Sequence, residues 1–415
     1  MENVVIIGGG IIGLCSAYYL EKEGYEVTVV DRGDITDGCS FGNMGFISPS
    51  HFVPLASPGI ISEGLKYMLS SSSPFYVKPR MNIDFMKWGY HFYRNSNALT
   101  AKNNALPLHG ILKLSRSLIN DLSAELGDTF SLEEKGCLMM CKESKTLAHE
   151  FELAEAGEKL GLRVERLDAS QVQQLEPNVE VAVSGAVLFK DDCHVDPGKL
   201  MVKLYRYLCE KGVSFHLGAT VSGFEKNADA VTAVITDKGR HACKNVVVAT
   251  GSWLPVIGKM LGVNLLLQPG KGYSYTYDAV PENITYPAIL VDGRCAISPW
   301  KNKLRIGGTM ELSGINSNVL MKRMHGIYNS VKRFYPGLRI EEPLPEKVWH
   351  GLRPVTPDGL PYIGKTSRFT NVVFAGGHAM LGLSQGTGTG KLVTEIIHGK
   401  KTSIDISAFN PNRYS

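Results

Sequence analysis

At 415 residues and 44% hydrophobic content, the chain is long enough to fill more than one core. Its 44 Lys+Arg against 40 Asp+Glu set up no field strong enough to draw nucleic acid, which excludes that class of partner. The opening MENVVIIGGG has no basic leader, no stretch approaches the ~18 unbroken apolar residues of a membrane-spanning helix, and the eight cysteines lack C-x-x-C spacing. Secretion, a transmembrane segment, a metal centre and a disulfide frame are therefore not expected; a reducing, cytoplasmic setting is.

The first predicted element is the apolar run Val4 to Ile7, a strand buried on both faces. Gly8-Gly9-Gly10-Ile11-Ile12-Gly13 follows at once and fits G-x-G-x-x-G. Leu14, Ala17, Tyr18 and Leu20 recur at helical spacing, and Tyr25 to Val30 reads as a second strand ending at Asp31. In such a unit Gly8 permits the tight turn, Gly10 lets the backbone approach a pyrophosphate and Gly13 lets the helix pack closely. The N–H groups of Ile11 and Ile12 face the phosphates, and Asp31 holds ribose hydroxyls. The motif alone is weak; its position between strand and helix, with an acid 18 residues after the last glycine, predicts a dinucleotide site. Arg32 leaves a 2′-phosphate reading open, although a surface arginine is its commoner meaning.

From Ser50 to about Leu188 the pattern turns mainly helical, with helices predicted over Ile83 to Tyr93, His109 to Leu126 and Thr146 to Leu160. Alternation resumes with a helix carrying Leu200, Leu204 and Leu208, then strands over Ser214 to Leu217, Val221 to Phe224, Val231 to Thr236 and Lys244 to Ala249. A strand-rich excursion follows: Gly272 to Tyr277, Ala288 to Val291, Cys295 to Ser298 and Lys303 to Gly308, closed by a helix over Leu320 to Tyr335. Lys347 to His350 is strand-like and runs into a Gly-Leu-Arg-Pro turn; Asn371 to Ala375 is a last buried strand, and Gly376-Gly377-His378 opens the helix Leu383 to His398.

Six segments now carry a resemblance: GGGIIG, Ser40 to Gly45 with Ile47-Ser48-Pro49, Lys271 to Ser274, Gly307 to Glu311, Gly351 to Gly359, and Gly377 to Gly382. In this order, across residues 1 to about 400, they resemble bacterial D-amino acid dehydrogenase and, more distantly, glycine oxidase and sarcosine oxidase. The resemblance implies an α/β fold with noncovalent FAD in a Rossmann-like domain split over 1–75, 190–258 and 346–405. It implies a second, α+β substrate domain over 76–189 and 259–345, built on a large, mainly antiparallel sheet, and a tail over 406–415. It also places Ser40, Asn43, Met44, Gly45, Val221, Thr250 and Gly251 at the FAD.

An amino-acid carboxylate is best oriented by a planar guanidinium, and Arg353 matches the arginine that binds it in glycine oxidase. Tyr273 and Tyr275 alternate along one strand, so one hydroxyl is expected to help hold the carboxylate, Tyr273 ranking first; cross-strand packing is the plain alternative. His51 and His378 lie in matched segments expected near the flavin, where a loop histidine bonded to backbone is the plain alternative. Gly377, Met380, Leu381, Gly382 and Leu383 are expected to bring helix N–H groups to the flavin's pyrimidine edge.

The reaction implied is hydride loss from the alpha carbon of a small D-amino acid to flavin N5, giving an imino acid and then a 2-oxo acid and ammonia. D-hydroxyproline dehydrogenation and a glycine- or sarcosine-type oxidation using oxygen are the alternatives. The electron acceptor, a quinone or oxygen, stays open. Lys78 to Arg94 mixes basic residues with Phe85, Trp88, Phe92 and Tyr93, which suits a core helix or peripheral contact with the inner face of the plasma membrane.

Overall fold

The computed structural model describes residues 2–67, 73–78, 80, 82–127 and 130–414; positions 79 and 81 of the basic and aromatic stretch lie outside them. Among the described residues the protein is an α/β structure with two large sheets. The first is six-stranded, in the order Tyr362–Thr366, Phe369–Gly376, Asn245–Val248, Asn3–Ile7, Glu26–Val30 and Ser214–His216. All its pairings are parallel except the outer one between Tyr362–Thr366 and Phe369–Gly376.

The continuous apolar run of the first strand is explained by its central place. Val4 and Ile6 pack against the helices Ile11–Lys22 and Pro197–Glu210, whereas Val5 and Ile7 pack against a three-stranded sheet on the other face. Strands drawn from residues 3 to 376 thus share one core.

The second sheet is nine-stranded, with six antiparallel pairings and two parallel ones. Its long strands Gln268–Tyr277 and Lys303–Leu312 are buried on one face against the helix Met321–Phe334. The mainly antiparallel sheet expected from the resemblance is present.

Three boundaries depart from the sequence reading. The helix expected from His109 starts at Ala98, capped by the Asn97 side chain on Thr100 N at 3.0 Å, and runs through Pro107 to Leu126. A proline removes one intrahelical bond, yet Leu108, Ile111 and Leu112 are buried just beyond it, and that packing holds the helix together. The last helix begins at Gly386, not Leu383, leaving a longer turn after the buried strand.

The third correction bears on the site. Gly351 to Pro354 is not a turn but the middle of the strand Trp349–Val355, where Arg353 pairs with Gly270 and Pro354 with Pro269. This strand is the sheet's edge, where a proline's missing N–H leaves no ladder bond broken.

The tail packs back onto the six-stranded sheet. Phe409 is buried, and Arg413 pairs with Asp358 at 2.7 Å while its guanidinium lies 4.0 Å from the Tyr362 ring centroid. No helix among the described residues is long and apolar enough to cross a membrane.

Candidate active site

A cavity of about 1730 Å³ runs between the two large sheets, large enough for a dinucleotide with a small molecule beside it. One end is the turn after the first strand. Gly8 lies at φ 111° and its N–H donates to Val30 O at 2.8 Å; a Cβ there would come within 2.5 Å of Ala249 O. Any other residue would push the turn off the neighbouring strand. Gly13 is not in the cavity wall; an added Cβ would overlap Gly8 O, so it serves the close strand–helix approach.

The helix Ile11–Lys22 has no side-chain cap and no acid in its first turn. Ile11 N donates to Ser40 Oγ at 3.0 Å, while the N–H groups of Gly10 and Ile12 make no hydrogen bond among the described residues. Asp31 organises the turn: its two oxygens accept from Gly9 N at 2.6 Å and Gly33 N at 2.8 Å, and each keeps a lone pair for a ligand hydroxyl. Arg32 stacks on Trp253, with 3.6 Å between guanidinium carbon and ring centroid. Val221, Thr250 and Gly251 complete this end, and Thr250 Oγ1 is buried without a hydrogen-bond partner. Bare N–H donors, an orphaned hydroxyl and a turn that tolerates no Cβ fit the pyrophosphate and ribose of FAD.

The 40–45 loop forms the middle of the cavity, locked by the second sheet. Arg305 donates to Asn43 O at 2.5 Å, Ser298 Oγ to Met44 O at 2.6 Å and Ser274 Oγ to Gly42 O at 3.1 Å. Ser40, Asn43 and Met44 face the cavity; Gly45 does not, being pressed against Val195 and Trp300 at φ 86°. On the far side the 378–384 turn contributes Met380, Leu381, Gly382 and Leu383. The N–H groups of Met380, Gly382 and Leu383 make no hydrogen bond among the described residues. They are the free donors expected here, but they come from a turn and not from a helix end. Gly377, at φ 82°, sits behind the wall against Thr356.

Arg353 faces the cavity from the edge strand. Its guanidinium donates to the carbonyls of Thr309 and Gly308, and no acidic side chain pairs with it among the described residues. Loss of water pulls its pKa down to about 10, which leaves it fully charged near neutrality. Thr309, whose carbonyl it holds, is buried at φ 71° with Oγ1 unpartnered. A threonine held in that region stores strain of about 1–3 kcal/mol. Sequence gave no hint of this beyond the Gly-Gly-Thr run before Met310.

Register separates Tyr273 from Arg353. Gly270 lies opposite Arg353 and Tyr273 opposite His350, so the tyrosine and the arginine project from opposite faces of the paired strands. The Tyr273 hydroxyl donates to Glu311 at 2.6 Å, and Glu311 also pairs with the fully buried Lys271 at 3.3 Å. Tyr273 and Tyr275 belong to the core under the sheet. Their shared face is as expected; of the two, only Tyr273 is also among the residues lining the cavity.

The two histidines separate as well. His378 is 3% exposed, its Nε2 bonded to Thr389 Oγ1 at 3.0 Å, and burial drives its pKa down to about 3. It staples the turn to the last helix and also stands among the residues lining the cavity. His51 lines the cavity, with Nδ1 3.1 Å from Ser50 Oγ; burial lowers its pKa to about 4, so the ring is neutral.

The family described as FAD dependent oxidoreductase matches residues 3–396. The chain is similar to D-amino acid dehydrogenase of Granulibacter bethesdensis, 32% identical over the whole of both chains. It is similar to the enzyme of that name from Neisseria meningitidis, 31% identical over 99% of each. Among solved structures it superposes on glycine oxidase from Geobacillus kaustophilus (TM-score 0.79, 22% identity, all of both chains). L-proline dehydrogenase from P. horikoshii follows with TM-score 0.78 and 20% identity, over 100% of this chain and 97% of that one. At those identities the two structures establish the fold.

Proposed function

Because the chain belongs to the family of FAD-dependent oxidoreductases, we propose that it oxidatively deaminates a small D-amino acid, with the 1–75, 190–258 and 346–405 segments holding FAD and the remainder shaping the substrate pocket. The observation that carries this reading is Arg353: a cavity-facing, half-buried guanidinium that has only carbonyls for company among the described residues and lacks an anion. A substrate carboxylate supplies that anion through two parallel N–H···O bonds.

FAD, when bound, supplies the two-electron acceptor. The residues present supply position. Arg353 fixes one end of the substrate, the Gly308–Thr309 carbonyls fix Arg353, and the apolar Met44 and Leu383 of the cavity wall keep water from the alpha carbon. No side chain is required to act as a strong base, and the neutral His51 beside the site agrees with that. The imino acid product hydrolyses to a 2-oxo acid and ammonia, unless it is cyclic.

Anaerobic bleaching of the bound flavin by D- and L-amino acids, glycine, sarcosine and both hydroxyproline epimers, in the wild type and in Arg353→Ala, tests the reading. D-amino acids should bleach the wild type fastest. Preference for hydroxyproline or for glycine and sarcosine would transfer the reading to the cyclic or the oxidase alternative, and peroxide release would mark oxygen as acceptor.

For the acceptor we favour a lipid-borne quinone. Ile83, Met86, Tyr90 and Tyr93 are exposed at helical spacing on the helix Ile83–Asn95, with Lys87 and Arg94 beside them. Val256 and Met260 extend this surface from a neighbouring helix that Lys259 ties to Asp84 at 2.5 Å. The protein should sediment with vesicles containing anionic lipid, and Met86→Glu with Tyr90→Glu should release it; equal sedimentation of both would defeat the idea.

A further inference from the structure

Two residues behind the cavity wall set the chemistry of one in it. Phe46 pairs with His194 and Ile47 with Cys193 in a short antiparallel ladder, which lays the 48–51 segment alongside Asp192. Ser50 then meets Asp192 twice: its N–H donates to Oδ1 at 3.1 Å and its hydroxyl to Oδ2 at 2.6 Å. Asp192 is fully buried, and its own carbonyl accepts from Gly136 N at 3.1 Å. Ser48 N, on the cavity side, is anchored to Ser384 Oγ at 3.2 Å, so the segment is held from both directions.

A hydroxyl has one proton to give. With Asp192 ionised, the Ser50 proton goes to the carboxylate, and the 3.1 Å contact between Ser50 Oγ and His51 Nδ1 is then a bond in which Nδ1–H donates and the serine accepts. The neutral ring therefore carries its proton on Nδ1. Its Nε2 has no hydrogen-bond partner among the described residues and is left as a bare acceptor on a residue that lines the cavity.

We propose that Ser50 and Asp192 are positioning residues that lock His51 in its Nδ1–H tautomer, so that Nε2 accepts an N–H from the substrate's amino group. This rests on the amino-acid reading of the cavity. A neutral amine held by one N–H keeps its lone pair free to stabilise the alpha carbon as the C–H bond breaks, whereas a ring with Nε2–H would bond to that lone pair and withdraw it from the reaction. The tautomer decides which of these occurs.

The test exchanges the carboxylate for its amide. In Asp192→Asn the amide oxygen keeps the Ser50 N–H and its NH₂ faces Ser50 Oγ; the hydroxyl proton then turns to His51 Nδ1, and the ring proton moves to Nε2. Nitrogen-15 spectra of histidine-labelled holoenzyme, recorded near pH ~8.5 because burial raises the Asp192 carboxyl to about 7, and assigned with His51→Gln, report which ring nitrogen is protonated. We expect Nδ1–H in the wild type and Nε2–H in Asp192→Asn, with flavin content retained. The limiting rate of anaerobic flavin reduction by the best amino acid should fall about 10- to 100-fold, the effect of losing one hydrogen bond to a charged or developing-charge group. Ser50→Ala should lower the rate likewise, and Ser50→Thr, which keeps the hydroxyl, should restore it to within about threefold.

An Nε2–H ring in the wild type overturns the proposal. So does Asp192→Asn that folds, binds flavin and reduces it at the wild-type rate. Should Asp192→Asn fail to fold, the wild-type spectrum and the Ser50 pair decide. If no amino acid bleaches the wild-type flavin, the parent reading of the cavity falls, and the spectra alone judge the tautomer.

Discussion

The two ends of the cavity are held by different means. At the nucleotide end the decisive contacts belong to the backbone: glycines without room for a Cβ, bare N–H groups at Gly10 and Ile12, and an aspartate bonded to the turn two residues on. At the opposite end they depend on side chains brought to partners far apart in sequence, Arg353 on the Thr309 carbonyl and Ser50 on Asp192. Backbone sites are written into short runs of sequence, while side-chain sites are decided by which strand lies beside which.

Three substitutions set these ends against each other. The largest effect is expected from Gly8→Ala, which places a Cβ 2.5 Å from Ala249 O at a φ of 111°. The penalty of about 3 kcal/mol or more should leave the purified protein colourless even with FAD in excess. A yellow, stoichiometric variant would break the claim that missing side-chain volume holds that end together.

Arg353→Ala comes next. It should keep its flavin yet lose roughly 100- to 1000-fold in the rate of anaerobic flavin reduction, equivalent to about 3–4 kcal/mol for a desolvated charge pair. Loss of flavin together with rate would show that the arginine belongs to the frame and not to the substrate. Tyr273→Phe should be the mildest: reduction within about threefold of wild type, and an unfolding free energy, measured by urea titration, lowered by the ~1–2 kcal/mol that Glu311 loses with its donor. A large kinetic effect there would contradict the opposite-face register.

The same division explains what could be read from the chain. The strand, turn and helix around Gly8 were legible because each signal lies within a few residues of the next, and the 378–383 turn followed from the resemblance. Arg353 was singled out as a residue but misjudged in setting, since glycine and proline flanking it imitate a turn unless the edge position of its strand is known. Tyr273 could not be placed relative to Arg353 from sequence, because alternation says which residues share a face, not which residue of the next strand lies opposite. Asp192 and Thr309 carried no local signal: one matters through a serine 142 residues away, the other through a backbone angle. His378 stands in a cavity-lining turn, and its bond to Thr389 in the last helix could not be read from the chain.

The first strand has consequences for biosynthesis. One flank is satisfied early by Glu26–Val30, but the other waits for Asn245–Val248, which in turn needs Phe369–Gly376 beside it. At ribosomal speeds of ~5–20 residues per second, that leaves an apolar strand with an open edge for on the order of tens of seconds. The nascent chain is thus a natural client for chaperones, and the nucleotide pocket cannot close until nearly the whole polypeptide has left the ribosome.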